Sequence, residues 1–164
     1  MPMFFKRLRK ELDWLARDPP VGYHVAPIDD DFEHWQGAFM GPPGSLYQGG
    51  DFGLTLDFPA DYPFNPPRVR VTTKIFHPMI GQDGTICINC LLWQSGISTW
   101  CPAFRIGRLF DSIQVLLNDP YSCEPHSPQI AGNMHRTDRD LFERTAKEWT
   151  RRYASEARNQ QAGG

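Results

Sequence analysis

The sequence predicts an α+β fold, and three observations predict it. Apolar residues recur at helical spacing near the two ends of the chain. Between them, residues 23–72 carry short alternating or aromatic runs separated by proline- and glycine-rich turns. No helical pattern interrupts that stretch, which excludes a parallel βαβ array and indicates a meander. The expected order is an N-terminal helix, a four-stranded antiparallel meander, an irregular loop holding the candidate site, and then C-terminal helices.

Residues 3–17 read as an amphipathic helix. Phe5, Leu8, Leu12 and Leu15 share one face, while Lys6, Arg7, Arg9 and Lys10 cluster on the remaining surface. Asp18-Pro19-Pro20 stops it. A weak strand covers Tyr23–Ile28 and an aromatic one His34–Met40. After the turn Gly41-Pro42-Pro43-Gly44, Phe52, Leu54, Leu56 and Phe58 alternate, and Val69 and Val71 alternate with Arg68 and Arg70. The connection from Phe58 to Pro67 is stiffened by prolines, and Tyr62-Pro63 is the candidate cis bond. Residues 105–117 read as a helix with Ile106, Leu109, Ile113 and Leu116 on one face and Phe110 and Leu117 beside it. Asn118-Asp119-Pro120 ends it. Ser127 with Pro128 suits the start of a short helix. Thr137 is the expected cap of the last helix, whose buried side is Leu141, Phe142, Trp149 and Tyr153. Residues 155–164 form a polar tail that is expected to fray.

The chain of 164 residues suits one domain with one core, placed at residues 1–154. A net charge of -2 gives no electrostatic case for nucleic acid. The longest apolar runs are too short to span a membrane, and Met1 to Glu11 lacks the apolar centre of a secretion signal. The four cysteines are therefore expected to stay reduced, in the cytoplasm or nucleus.

Chemistry concentrates between His77 and Cys87. His77-Pro78 starts a rigid turn, Asp83-Gly84 makes a second, and one thiol follows Thr85-Ile86. The segment reads either as a mount for a reactive thiol or as a turn-rich connection with a structural cysteine. Cys87-x-x-Cys90 also has a redox or zinc spacing. A metal is not expected, because Cys101 and Cys123 lie too far apart to complete a compact ligand set. A reversible Cys87–Cys90 disulfide is a further reading.

Several fragments then fall in a familiar order. They are the basic first helix, the Trp35 strand, Met40-Gly41-Pro42, Tyr47-Gln48-Gly49-Gly50, and Phe58-Pro59-x-x-Tyr62-Pro63-Phe64-x-Pro66-Pro67. His77-Pro78, Gly84-x-Ile86-Cys87, Trp100-x-Pro102-Ala103, Leu117-x-Asp119-Pro120 and Glu148-Trp149 follow. Together they resemble the ubiquitin-conjugating enzyme family over residues 3–154, and most of all its small members, which consist of little beyond the conjugating domain. The resemblance implies the family's α+β fold and a transfer reaction. An activating enzyme spends ATP and delivers ubiquitin, or a ubiquitin-like modifier, to Cys87 as a thioester. Cys87 passes it to a protein substrate's amine with a RING-type ligase, or to the cysteine of a HECT-type ligase. No bound cofactor is implied.

The resemblance also assigns roles. His77, Pro78 and Met79 support the active-site loop. Family members carry an asparagine after His-Pro that stabilises the oxyanion or the loop. Met79 stands there instead, and a thioether donates no hydrogen bond. Asn89, Gln82 and Asn118 are the replacement donors suggested by proximity in sequence. Glu124 takes the place of an acidic residue that orients and deprotonates the incoming amine. Lys6, Arg7, Phe64, Pro102 and Ala103 match the ligase-docking positions, with Cys101 in place of a serine before Pro102. The segment after Cys87 is several residues longer than in the small members, adding Leu92, Trp93 and Ile97. His24 stands where some members bind ubiquitin non-covalently.

Overall fold

The computed structural model describes residues 2–88, 91, 92, 96, 99–121 and 130–155. Within them, helix α1 (Met3–Arg17) leads into strands β1 (Tyr23–Ile28), β2 (Asp31–Met40), β3 (Asp51–Asp57) and β4 (Arg68–Val71). Helices α2 (Ile106–Asn118), α3 (Ile130–Thr137) and α4 (Arg139–Trp149) follow, and a π-helical turn, Thr150–Ala154, continues α4. Asn89, Cys90, Trp93, Ile97, Cys123, Glu124, Ser127, Pro128 and the tail from 156 lie outside the described residues.

The strands form one antiparallel sheet in the order β1-β2-β3-β4, as the meander pattern requires. Register follows the alternation: Trp35 faces Leu56 across β2 and β3, and Leu54 and Leu56 face Val71 and Val69 across β3 and β4. The side chains of Phe52, Leu54, Leu56, Val69 and Val71 all turn inward. They share one core with the inward face of α2, where Ile106, Leu109, Phe110, Ile113, Leu116 and Leu117 are all buried. Each such side chain contributes on the order of 2 kcal/mol by leaving water. The Tyr62-Pro63 peptide is cis.

Three expectations need correction. In α1 the buried stripe is Phe4, Leu8 and Glu11, with Leu12 and Leu15 partly covered, and Phe5 is 37% exposed. An acidic residue belongs to the inward face, and counting it rotates the stripe from Phe5 to Phe4. The cap of α4 is Asp138, whose carboxylate accepts from the Leu141 N–H at 3.0 Å, while Thr137 is the last residue of α3. Both residue types cap well, and the chain breaks one position later than the pattern indicates. Leu141 is 38% exposed, because the inward spacing in α4 runs through Phe142 and Ala146 to the half-buried Trp149.

Candidate active site

The loop that carries Cys87 is mounted on the sheet. β4 is short, and the loop's backbone lies along it. Val71 N–H donates to Gly84 O at 2.8 Å, Ile86 N–H donates to Val69 O at 3.3 Å, and Arg70 bridges Thr85. Inside the loop, Gly81 N–H donates to Thr85 O at 3.0 Å and Gly84 N–H to Gly81 O at 2.9 Å. Gly84 has φ +85°, and a Cβ there would sit 1.9 Å from Val71 O. Only glycine allows this approach. The Asp83 carboxylate accepts from Thr85 N–H at 3.1 Å, which holds its pKa below the usual carboxylate range.

His77 closes the other end of the loop. Its ring is fully buried and packs near Tyr47, with centroids 5.6 Å apart. Nδ1 accepts the Met79 N–H at 3.0 Å. Nε2 therefore carries the proton and donates to Leu116 O on α2 at 3.1 Å. Burial lowers its pKa to about 4, so the imidazole is neutral near pH 7. Both ring nitrogens are engaged in holding backbone, an arrangement that ties the loop to α2. Tyr47 adds a second tie, its hydroxyl donating to Phe76 O at 2.8 Å.

Pro78 is buried, and Met79 packs half-buried against the core. Met79 offers no side-chain donor, and its own N–H is taken by His77. Cys87 is exposed. Its carbonyl accepts the Leu91 N–H at 2.9 Å, and Leu91 and Leu92 are buried just beyond it. The thiol thus projects from a backbone anchored on both sides. A cleft of about 660 Å³ opens behind the loop, lined by residues such as Lys74, Phe76, Ile80, Trp149 and Tyr153. Cys87 is not in its wall. Cys87 is exposed instead.

The expected docking residues sit on α1 and two loops. Phe64 is 63% exposed, and Lys6 and Ala103 are exposed, with Pro102 half-buried. The two loops are joined: Trp100 Nε1–H donates to Pro63 O at 2.7 Å. Arg7 differs from its neighbours on α1. Its guanidinium donates from Nε to Glu11 Oε1 at 3.0 Å, from Nη1 to Pro102 O at 2.7 Å and from Nη2 to Phe104 O at 2.7 Å. Arg7 is thus turned into the molecule rather than offered at its surface.

Asn118 is exposed at the end of α2, Gln82 is exposed in the loop, and His24 is exposed on β1. Cys101 is half-exposed. Among the described residues, no group of three or more His, Cys, Asp or Glu side chains is placed to hold a metal ion. Among them too, no helix is long and apolar enough to cross a membrane.

The sequence patterns leave two structural residues, Tyr47 and Glu11, without an assigned role. Tyr47 lies in the Tyr47-Gln48-Gly49-Gly50 motif, which carries no sign of its hydrogen bond to Phe76. Glu11 had a signal: it lies four residues after Arg7 and interrupts an otherwise apolar stripe. With this geometry in place, one comparison bears on it: the ubiquitin-conjugating enzyme family model matches residues 7–150.

Proposed function

We propose that this chain, which belongs to the ubiquitin-conjugating enzyme family, carries ubiquitin or a related modifier as a thioester on Cys87. Residues 1–154 are the catalytic domain in this reading. The observation that carries it is an exposed thiol ending a loop that is fixed to β4 and to α2.

In the first step the Cys87 thiolate attacks the carbonyl carbon of the modifier's C-terminal thioester on the activating enzyme. The new carbon–sulfur bond forms, the old one breaks, and the activating enzyme's thiolate leaves. The incoming acyl group is already activated, so Cys87 needs no dedicated histidine base. ATP is consumed upstream, and no bound cofactor takes part. In the second step a neutral substrate amine, or a HECT-type ligase thiolate, attacks the Cys87 thioester, and Cys87 leaves as thiolate. For the amine route Glu124 accepts the proton. Asn89 and Asn118 are the candidate donors to the oxyanion, since Met79 has none to give. His77 acts through the loop's geometry, because both its nitrogens are engaged. Lys6, Phe64, Pro102 and Ala103 form the face that meets a RING-type or HECT-type ligase.

The chain is incubated with activating enzymes, ATP and a panel of modifiers, and resolved on non-reducing gels. A thiol-sensitive adduct in wild type that is absent from Cys87→Ala is expected. No adduct with any modifier rejects the proposal. A second reading is favoured by Met79 alone: a family member that charges but transfers poorly to lysine and serves as a binding module in the pathway. Rapid charging with negligible lysine discharge, even with ligase present, selects it.

A further inference from the structure

One buried carboxylate joins the three segments that form the proposed docking face. Glu11 on α1 is 1% exposed. Its Oε1 accepts from Arg7 Nε at 3.0 Å and from the Tyr62 hydroxyl at 3.1 Å. Its Oε2 accepts from the Ile106 N–H at 3.1 Å. Ile106 is the first residue of α2, and Arg105 at the N-cap provides no side-chain hydrogen bond. The first turn of α2 is thus capped from another helix, with the carboxylate at the favourable end of the dipole. Tyr62 belongs to the loop that exposes Phe64. Arg7, held by Glu11, grips the carbonyls of Pro102 and Phe104 at 2.7 Å each. These carbonyls flank Ala103. A lone buried carboxylate or guanidinium would be costly; as a charge-paired network with satisfied donors the two are held in one geometry.

We propose that Glu11 is a positioning residue for ligase binding: through Arg7 it fixes the Pro102-Ala103 loop, and through Tyr62 the Phe64 loop, in the relative placement that a RING domain recognises. This rests on the reading that the face meets a ligase. Arg7 serves the same end from inside, as a brace and not as a contact. Lysine cannot substitute for it, because an ammonium lacks the fork that reaches two carbonyls and a carboxylate together.

The test titrates uncharged wild type, Glu11→Gln and Arg7→Lys with a panel of purified RING domains, alongside amide hydrogen exchange. Ala146→Gly, in α4 and matched for loss of melting temperature, controls for general destabilisation. Glu11→Gln is expected to weaken RING binding about tenfold, the scale of one lost charge-assisted bond, and to speed exchange at Phe104 and Ile106. Ala146→Gly is expected to bind as wild type does. If Glu11→Gln does not fold, Arg7→Lys carries the same expectation. Unchanged affinity in a folded variant overturns the proposal. So does equal weakening in Ala146→Gly, or a wild type that binds no RING domain. Charging is measured in parallel: failure of wild type to charge rejects the carrier function, whereas charging with unchanged RING affinity in the variants rejects only the positioning role.

Discussion

Met79 is where residue chemistry and the proposed reaction meet most directly. Attack on a thioester places negative charge on the carbonyl oxygen, and removal of a preorganised donor at such a point costs about 3–4 kcal/mol in other acyl-transfer enzymes. Met79 lacks that donor in its side chain, and its N–H is held by His77 at 3.0 Å. Met79→Asn restores a side-chain amide at the position. Single-turnover discharge of the charged enzyme to free lysine is expected to accelerate at least about tenfold, a conservative fraction of the donor's usual worth. Equal rates in the two proteins show that another group already supplies the donor. Asn89 and Asn118 are the residues to substitute next.

At the scale of elements, the site is a clip. The loop is held by main-chain bonds to β4, with one glycine at its closest approach. Gly84→Ala places a methyl group against Val71 O in a backbone conformation that suits glycine. A cost of about 3 kcal/mol or more is expected, read as a lower denaturation midpoint, with charging reduced in parallel. A midpoint within error of wild type would mean that the loop can shift without leaving the strand. The helices contrast in how their starts are satisfied. α4 uses its own Asp138, a local device legible in sequence to within one residue. α2 borrows Glu11 from α1, a tertiary arrangement without a local signature.

For the whole molecule, burial of His77 couples stability to pH. Its pKa falls from 6.5 to about 4 on folding, so the unfolded chain takes up the proton first as pH drops. Stability is fully present above pH 6.5 and is lost between there and about 4, by about 3 kcal/mol. Burial shifts His135 in the same direction, so part of the slope remains without His77. Denaturant midpoints from pH 7 to 4 are expected to fall steeply in wild type and less steeply in His77→Gln. Identical slopes would assign the dependence to other groups. The architecture was legible because it rests on local periods: alternation in β3 and β4, and helical spacing in α1 and α2. Periodicity places the stripe on α1 at Phe5 because it counts apolar residues, while Glu11 is buried by partners 51 and 95 positions away. Arg7 carries the same lesson: a basic residue among basic neighbours looks like surface until its carbonyl partners, 95 and 97 positions away, are known. The thiol's candidacy rests on motif order, while His77 reaches Leu116, 39 positions away, a contact no local pattern shows.

The docking of the loop on β4 has a colloidal consequence. A terminal strand with bare N–H and C=O groups is a template for pairing with other chains. Here Val69 O and Val71 N–H are occupied by the segment that presents Cys87. The mount of the thiol is thus also the guard of the sheet. Damage that peels the loop away exposes an adhesive edge as it displaces Cys87, so substitutions that unseat this segment are expected to surface as insoluble protein.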